Sequence, residues 1–263
     1  IGLTALAASL VSVSAHAGEL TVTGSASMNT EGHSGEQLDA GTTFSMANSV
    51  YLKGSGELDN GMTVSVSFEL DQGTGNNSSN QFDNHSVTVS SDAMGSLTLA
   101  GHGGSTAASK IDTTAAGDMW DNFDEMTIGG TTTANAVKTS SAGNNSLFYK
   151  SPDLMDGLNV TLSYNPQKGN AGNPSESGYG FNYTGVEGLS VSYAETDIET
   201  NVAGTTGDNT VLKVSYAYGP VTATYSNMEQ DVSTTSSAGE TDSYALSYTI
   251  SDELSVTYGS ETH

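Results

Sequence analysis

From about residue 18 onward the chain alternates apolar and polar residues in short runs of about ten residues. One run places Leu158, Val160, Leu162 and Tyr164 on one parity and Asn159, Thr161, Ser163 and Asn165 on the other. A β-strand points successive side chains to opposite faces, so each run reads as a strand with one apolar and one polar face. A sheet built this way must cover its apolar face with a second protein layer, or else turn it to lipid. That choice governs everything else the sequence can say.

The connections decide it. Thirteen such runs follow one another, and the links between them alternate short and long. Short links lie at Leu58 to Gly61, Asp92 to Gly95, Pro152 to Gly157, Thr184 to Gly188, Gly219-Pro220 and Ser251-Asp252. In the first of these, Asn60-Gly61 suits a tight hairpin because both residues tolerate positive φ. Long polar links lie near residues 31–40, 72–81, 103–143, 166–177, 197–209 and 229–241. Short turns on one rim and long loops on the other describe an all-β transmembrane antiparallel barrel. Tyr164, Tyr193, Tyr218, Tyr225 and Tyr258 fall at strand ends, where an interfacial aromatic girdle belongs. A soluble β-sandwich or solenoid also alternates, but neither requires two link lengths in regular succession.

Composition agrees. Only 35% of the 263 residues are hydrophobic, a thin supply for a globular core but adequate for a single outer layer around a wet interior. The net charge is −24, and all six basic residues are lysines, which excludes nucleic acid as a partner. The chain has no cysteine, so disulfides and thiolate metal sites are excluded. Residues 1–17 form a short apolar stretch ending in Ala15-His16-Ala17, the pattern of a secretory signal peptide that starts partway through, with the barrel over 18–263. No segment approaches the roughly 20 apolar residues of a membrane-spanning helix.

The link over residues 103–143 stands apart, since long unstructured connections are uncommon unless they serve a function. Within it, helical spacing places Met119, Phe123 and Met126 on one stripe and Asp118, Asp121 and Glu125 on another, with Asp124 at its edge. Such a segment can lay its apolar stripe on the wall and aim its carboxylates at a pore; the alternative is a solvated acidic surface loop. Catalytic signatures do not appear. The histidines form no metal-ligand spacing, and there is no nucleophile elbow or phosphate-cradling loop. Asp118, Asp121 and Asp124 recur every three residues, not every two as in an EF-hand. No cofactor is expected, with adventitious Ca²⁺ at these carboxylates the sole metal expectation.

Three stretches carry a family resemblance: Gly18 to Gly24 (Gly-Glu-Leu-Thr-Val-Thr-Gly), Gly95 to Gly101 before the long link, and Asn145 to Pro152 after it. In these the chain resembles the general diffusion porins of Gram-negative bacteria, over its whole mature stretch. The resemblance implies an outer-membrane barrel of sixteen strands, so that about thirteen are present and the C-terminal end is lacking. It further implies a homotrimer and a third loop folded into the lumen, its acidic residues facing a basic wall. The arginines usual on that wall are absent here. By parity, Lys53 and Lys213 point inward as replacements, and Glu69 and Asp71 point inward beside the acidic loop. The expectation is a passive, water-filled, cation-preferring channel for small hydrophilic solutes and ions. A substrate-selective channel and a non-conducting adhesin or structural barrel are the alternatives.

Overall fold

The computed structural model describes residues 20–33, 41–71, 82–111, 115, 127–128, 131–132, 144–166, 175–199, 207–232 and 239–262. Thirteen strands form one antiparallel sheet: β1 (Thr21–His33), β2 (Gly41–Glu57), β3 (Thr63–Asp71), β4 (His85–Ser91), β5 (Gly95–His102), β8 (Ser146–Lys150), β9 (Leu158–Asn165), β10 (Ser175–Tyr183), β11 (Leu189–Glu199), β12 (Gly207–Tyr218), β13 (Val221–Val232), β14 (Gly239–Ser251) and β15 (Leu254–Thr262). Each strand pairs with its neighbours in chain order. The two missing numbers, β6 (Thr127–Ile128) and β7 (Thr131–Thr132), are a two-residue hairpin inside the long third link. The expected all-β architecture and its thirteen strands are therefore present in the described residues.

The side chains follow the period-two alternation. On β14, the outward residues Tyr244, Leu246, Tyr248 and Ile250 are about half exposed, whereas Thr241, Ser243 and Ala245 on the other face are buried. On β9, Leu162 and Tyr164 are exposed while Thr161 and Ser163 are buried. Large apolar residues thus stand on the uncovered face and small polar ones on the covered face. A water-soluble sheet shows the reverse, and lipid is the solvent that fits.

All short links fall on one rim. Gly61 at the first turn has φ +79° and open space around it. Gly95 has φ +76° and packs so closely on the backbone of Lys150 and Ser151 that a Cβ there would collide with the Lys150 carbonyl. Only glycine meets both demands. On the other rim the strands run further than sequence alone indicates: β11 reaches Glu199, β12 starts at Gly207, β13 reaches Val232 and β14 starts at Gly239. Hydrophobic alternation fades there, but ladder hydrogen bonds do not depend on side-chain polarity, so pairing continues beyond the apolar band.

These extensions carry outward carboxylates. Register sets Asp197, Asp208 and Asp231 directly opposite one another across β11, β12 and β13. Just below them Tyr179 and Tyr193 donate to Glu195 Oε2 at 2.7 and 3.1 Å, and Tyr225 donates to Asp242 Oδ1 at 2.8 Å. Tyrosine rings on the apolar side and carboxylates on the wet side mark where hydrocarbon gives way to water. Replacing Leu246 by Arg, at the middle of the outward face of β14, is expected to cost about 2–4 kcal/mol in folding into lipid vesicles. The adjacent inward change Ser247→Arg is expected to cost much less, and equal costs would contradict the assignment of faces.

Candidate functional site

The covered face has something to cover it. After β5 the chain turns inward through Gly103, which has φ +67° and lies against the Asn84 side chain. It then forms a single 3₁₀ turn over Ala108–Lys110. Ala107, Ala108 and Ile111 pack there against Ala194 of β11, Val211 of β12 and Met228 of β13, and all six are buried. The backbone N–H of Ala107 donates to Ser163 Oγ on β9 at 2.9 Å, and that of Ala115 donates to Ser243 Oγ on β14 at 2.8 Å. The third link is therefore bound to the inner face at two points that lie five strands apart.

That separation has a geometric consequence. Five strand spacings amount to about 24 Å along the sheet. The chain from residue 107 to residue 115 reaches at most about 27 Å when fully extended, and a 3₁₀ turn shortens it. Both anchors are met because the sheet curls around the segment, shortening the chord between β9 and β14. The inner face is concave, and the described start of the third link, residues 103–111 and 115, lies inside it.

The seat is shaped by small residues. A Cβ on Gly178 would meet Ser163 Oγ and Thr196 Oγ1 at 2.7 Å, and one on Gly180 would meet the Ala194 Cβ at 2.8 Å. Burial of Ile111, Val211 and Met228 contributes roughly 1.5–3 kcal/mol each. Thr196 Oγ1 and Asn209 Oδ1, opposite each other in register, are buried beside the seat without a hydrogen-bond partner among the described residues. Such atoms cost about 1–3 kcal/mol when unsatisfied, so the seat is held mainly by its apolar contacts and its two serine posts.

The expected site residues are distributed as follows. Asp118, Asp121, Asp124 and Glu125, together with the Met119, Phe123 and Met126 stripe, lie outside the described residues. Lys53 is exposed on the inner face of β2, its ammonium 4.8 Å from the Tyr51 ring centroid. A hollow around it is lined by Thr21, Ser55, Ser65, Ser67, Ser86 and Thr88. Lys213 stands on the inner face of β12, in register between Ser192 and Ser226. Glu69 is buried, and its carboxylate accepts from the Asn84 amide, while its backbone bonds to Asn84 and Asp83 fasten the chain as it returns to β4. Tyr51 and Ser49 also bond to that carboxylate. Asp71 ends β3, and its side chain lies outside the described residues.

Sequence reasoning missed the seat. Ala107, Ala108 and Ile111 form no apolar stripe long enough to notice, and Val211 and Met228 occupy inward positions where polar residues were expected. Two further lysines were missed. Lys150 is inward by parity at the end of β8, and Lys110 closes the 3₁₀ turn with its ammonium 5.7 Å from the Phe148 ring centroid. The parity rule that placed Lys53 would also have found Lys150.

A concave antiparallel sheet with an apolar outer face, a hydroxyl-rich inner face and the start of a link bound against that inner face defines a transmembrane β-barrel channel. The sequence profile of the Gram-negative porins matches residues 2–263, and this chain belongs to that family. No curated protein sequence matches it. Among solved structures it is similar to OmpF of Salmonella typhi, determined in complex with daunomycin, with 18% identity and a TM-score of 0.64. That match covers 93% of this chain and 79% of OmpF. It is also similar to an anion-selective porin from Comamonas acidovorans, with 18% identity and a TM-score of 0.51, covering 92% of this chain and 78% of that one. The chain is accordingly an outer-membrane β-barrel porin, a diffusion channel.

The seat predicts a cross-link. In a variant carrying Ala115→Cys and Ser243→Cys, mild oxidation is expected to join the two cysteines while single-channel conductance stays near that of the parent. A pair made from Ala115→Cys and Ser67→Cys, on the far wall, is expected to stay reduced. Met228→Ala is expected to cost about 2–5 kcal/mol by opening a cavity under the loop, measured by urea unfolding and accompanied by added current noise.

Proposed function

We propose that this porin is a passive, water-filled pore for small hydrophilic solutes and ions, working as a homotrimer without a cofactor and with a cation preference set by the third link. The observation that carries this reading is the inner face itself: serine and threonine hydroxyls over β1 to β5, with the third link bound against the opposite wall. Hydroxyls exchange hydrogen bonds with water at little net cost, so hydrated solutes pass along such a wall without being held. Seating the link on β9 to β14 leaves the passage on the β1 to β5 side.

The cation preference rests on Asp118, Asp121, Asp124 and Glu125, with Asp71 beside them. It does not rest on the overall charge of −24. On the described inner wall, Lys53, Lys150 and Lys213 nearly balance Glu57, Glu69, Glu176 and Glu261. The outward rim and the short turns carry many of the remaining acids, where they act on approaching ions but not on ions in the lumen. Carboxylates at a constriction raise local cation concentration and oppose anions.

Planar-bilayer reversal potentials in a KCl gradient test this. Cation preference is expected, fading as salt rises because exposed charges are screened beyond about 10 Å at 0.1 M. Changing the four loop acids to Asn or Gln is expected to lower the potassium-to-chloride permeability ratio severalfold. Anion preference in the parent would sink the selectivity reading, and absence of any steady conductance would sink the channel reading.

A further inference from the structure

We propose that the sector of the inner wall between β5 and β9 is a station for small oxyanions, a carboxylate or phosphate group carried on a hydrophilic solute, held by Lys110 and Lys150. The proposal rests on the reading of the lumen as a solute path and assigns to one part of it a preferred chemistry.

Three observations converge. First, Lys110 is exposed at the end of the 3₁₀ turn, and its ammonium sits 5.7 Å from the centroid of the Phe148 ring. Phe148 faces inward from β8, so the contact draws a loop lysine to the wall and limits its freedom. Second, Lys150 lies two residues further along the same face of β8 and is exposed. Side chains at i and i+2 on one face of a strand stand about 7 Å apart, so Lys150 is the next inward side chain along β8 from the ring that Lys110 faces. Third, the inner positions of β4, β5, β8 and β9 carry no carboxylate.

The surroundings favour oxygen-bearing anions over chloride. Register sets Ser96 and Thr161 on either side of Lys150, and Thr98 and Ser163 on either side of Phe148. An oxyanion presents several acceptor oxygens, which two ammonium groups and neighbouring hydroxyl donors can share. Chloride has one diffuse charge and gains less from spaced donors. The nearest wall acid in the row of Lys150 is Glu57, four strands away, or about 19 Å along the sheet. Glu57 and Asp92 share with Lys150 a hollow at the short-turn rim.

The test measures bi-ionic reversal potentials for the full chain in planar bilayers, with potassium phosphate against KCl at 0.1 M and pH 7. In the parent, phosphate is expected to permeate better, relative to chloride, than its size and mobility allow. In the double variant Lys110→Gln, Lys150→Gln the phosphate-to-chloride permeability ratio is expected to fall about threefold. The charge-preserving variant Lys110→Arg, Lys150→Arg is expected to restore it, which separates loss of the station from misfolding. Lys53→Gln, on the far wall, is expected to lower both anions together and leave the ratio unchanged. A conducting double Gln variant with the parent's ratio overturns the station and leaves the diffusion pore standing. A parent that does not conduct overturns both.

Discussion

Hydrocarbon offers no partner to a backbone N–H or C=O, so a chain that crosses it must satisfy each of these groups internally. Strands do so through the ladder between neighbours, and this requirement organises the molecule. Here it yields a single sheet in which thirteen strands pair in sequence order, the least entangled way to give every interior strand two partners. Once the ladder is fixed, side chains have two destinations. Leu246 and Tyr248 go to lipid, Ser247 and Ser243 go inward, and one residue of slip would reverse all four.

A sheet that faces lipid outside and water inside has no core of the usual kind. Its interior receives the described start of the third link, and the apolar residues that segment packs on are supplied by inward positions of the wall. Ala194, Val211 and Met228 look misplaced on a polar face until Ala107, Ala108 and Ile111 are set upon them. Glycines at 178 and 180 leave room for the wall's own side chains, Ser163, Thr196 and Ala194, to pack closely beside the seat. How closely the described start of the link approaches the wall is thus a packing property, set by how a handful of small and apolar side chains interlock.

Strand existence and facing were legible in the sequence because both follow from a period of two, which survives in runs such as Leu158 to Asn165. Strand ends were less legible, since Asp197 to Glu199 and Gly207 to Asn209 extend the ladder without an apolar residue on the outward face. The seat was not legible at all. It depends on residues about eighty to one hundred and twenty positions apart meeting across a curved sheet, and nothing local in Ala107 or Met228 announces a partner. Lys53 and Lys213 were found by parity, whereas Lys110 could be placed only once its turn was seen against Phe148. The acids of residues 118–125 lie outside the described residues, so their role stays a proposal resting on their spacing.

The charge distribution follows from the same two-solvent constraint. Lysines on strands point inward at Lys53, Lys150 and Lys213, while outward carboxylates are confined to the rim beyond the tyrosines, as at Asp197, Asp208 and Asp231. The assignment of one face to lipid and the other to water is the claim on which all of this depends. Nitroxide spin-label scanning along β14, from residue 243 to residue 250 in reconstituted protein, tests it most directly. Collision with dissolved oxygen is predicted to peak at 244, 246, 248 and 250, and collision with a water-soluble nickel chelate to peak at 247 and 249, below the covered positions 243 and 245. Equal profiles at odd and even positions, or nickel access at 246 and 248, would contradict the account.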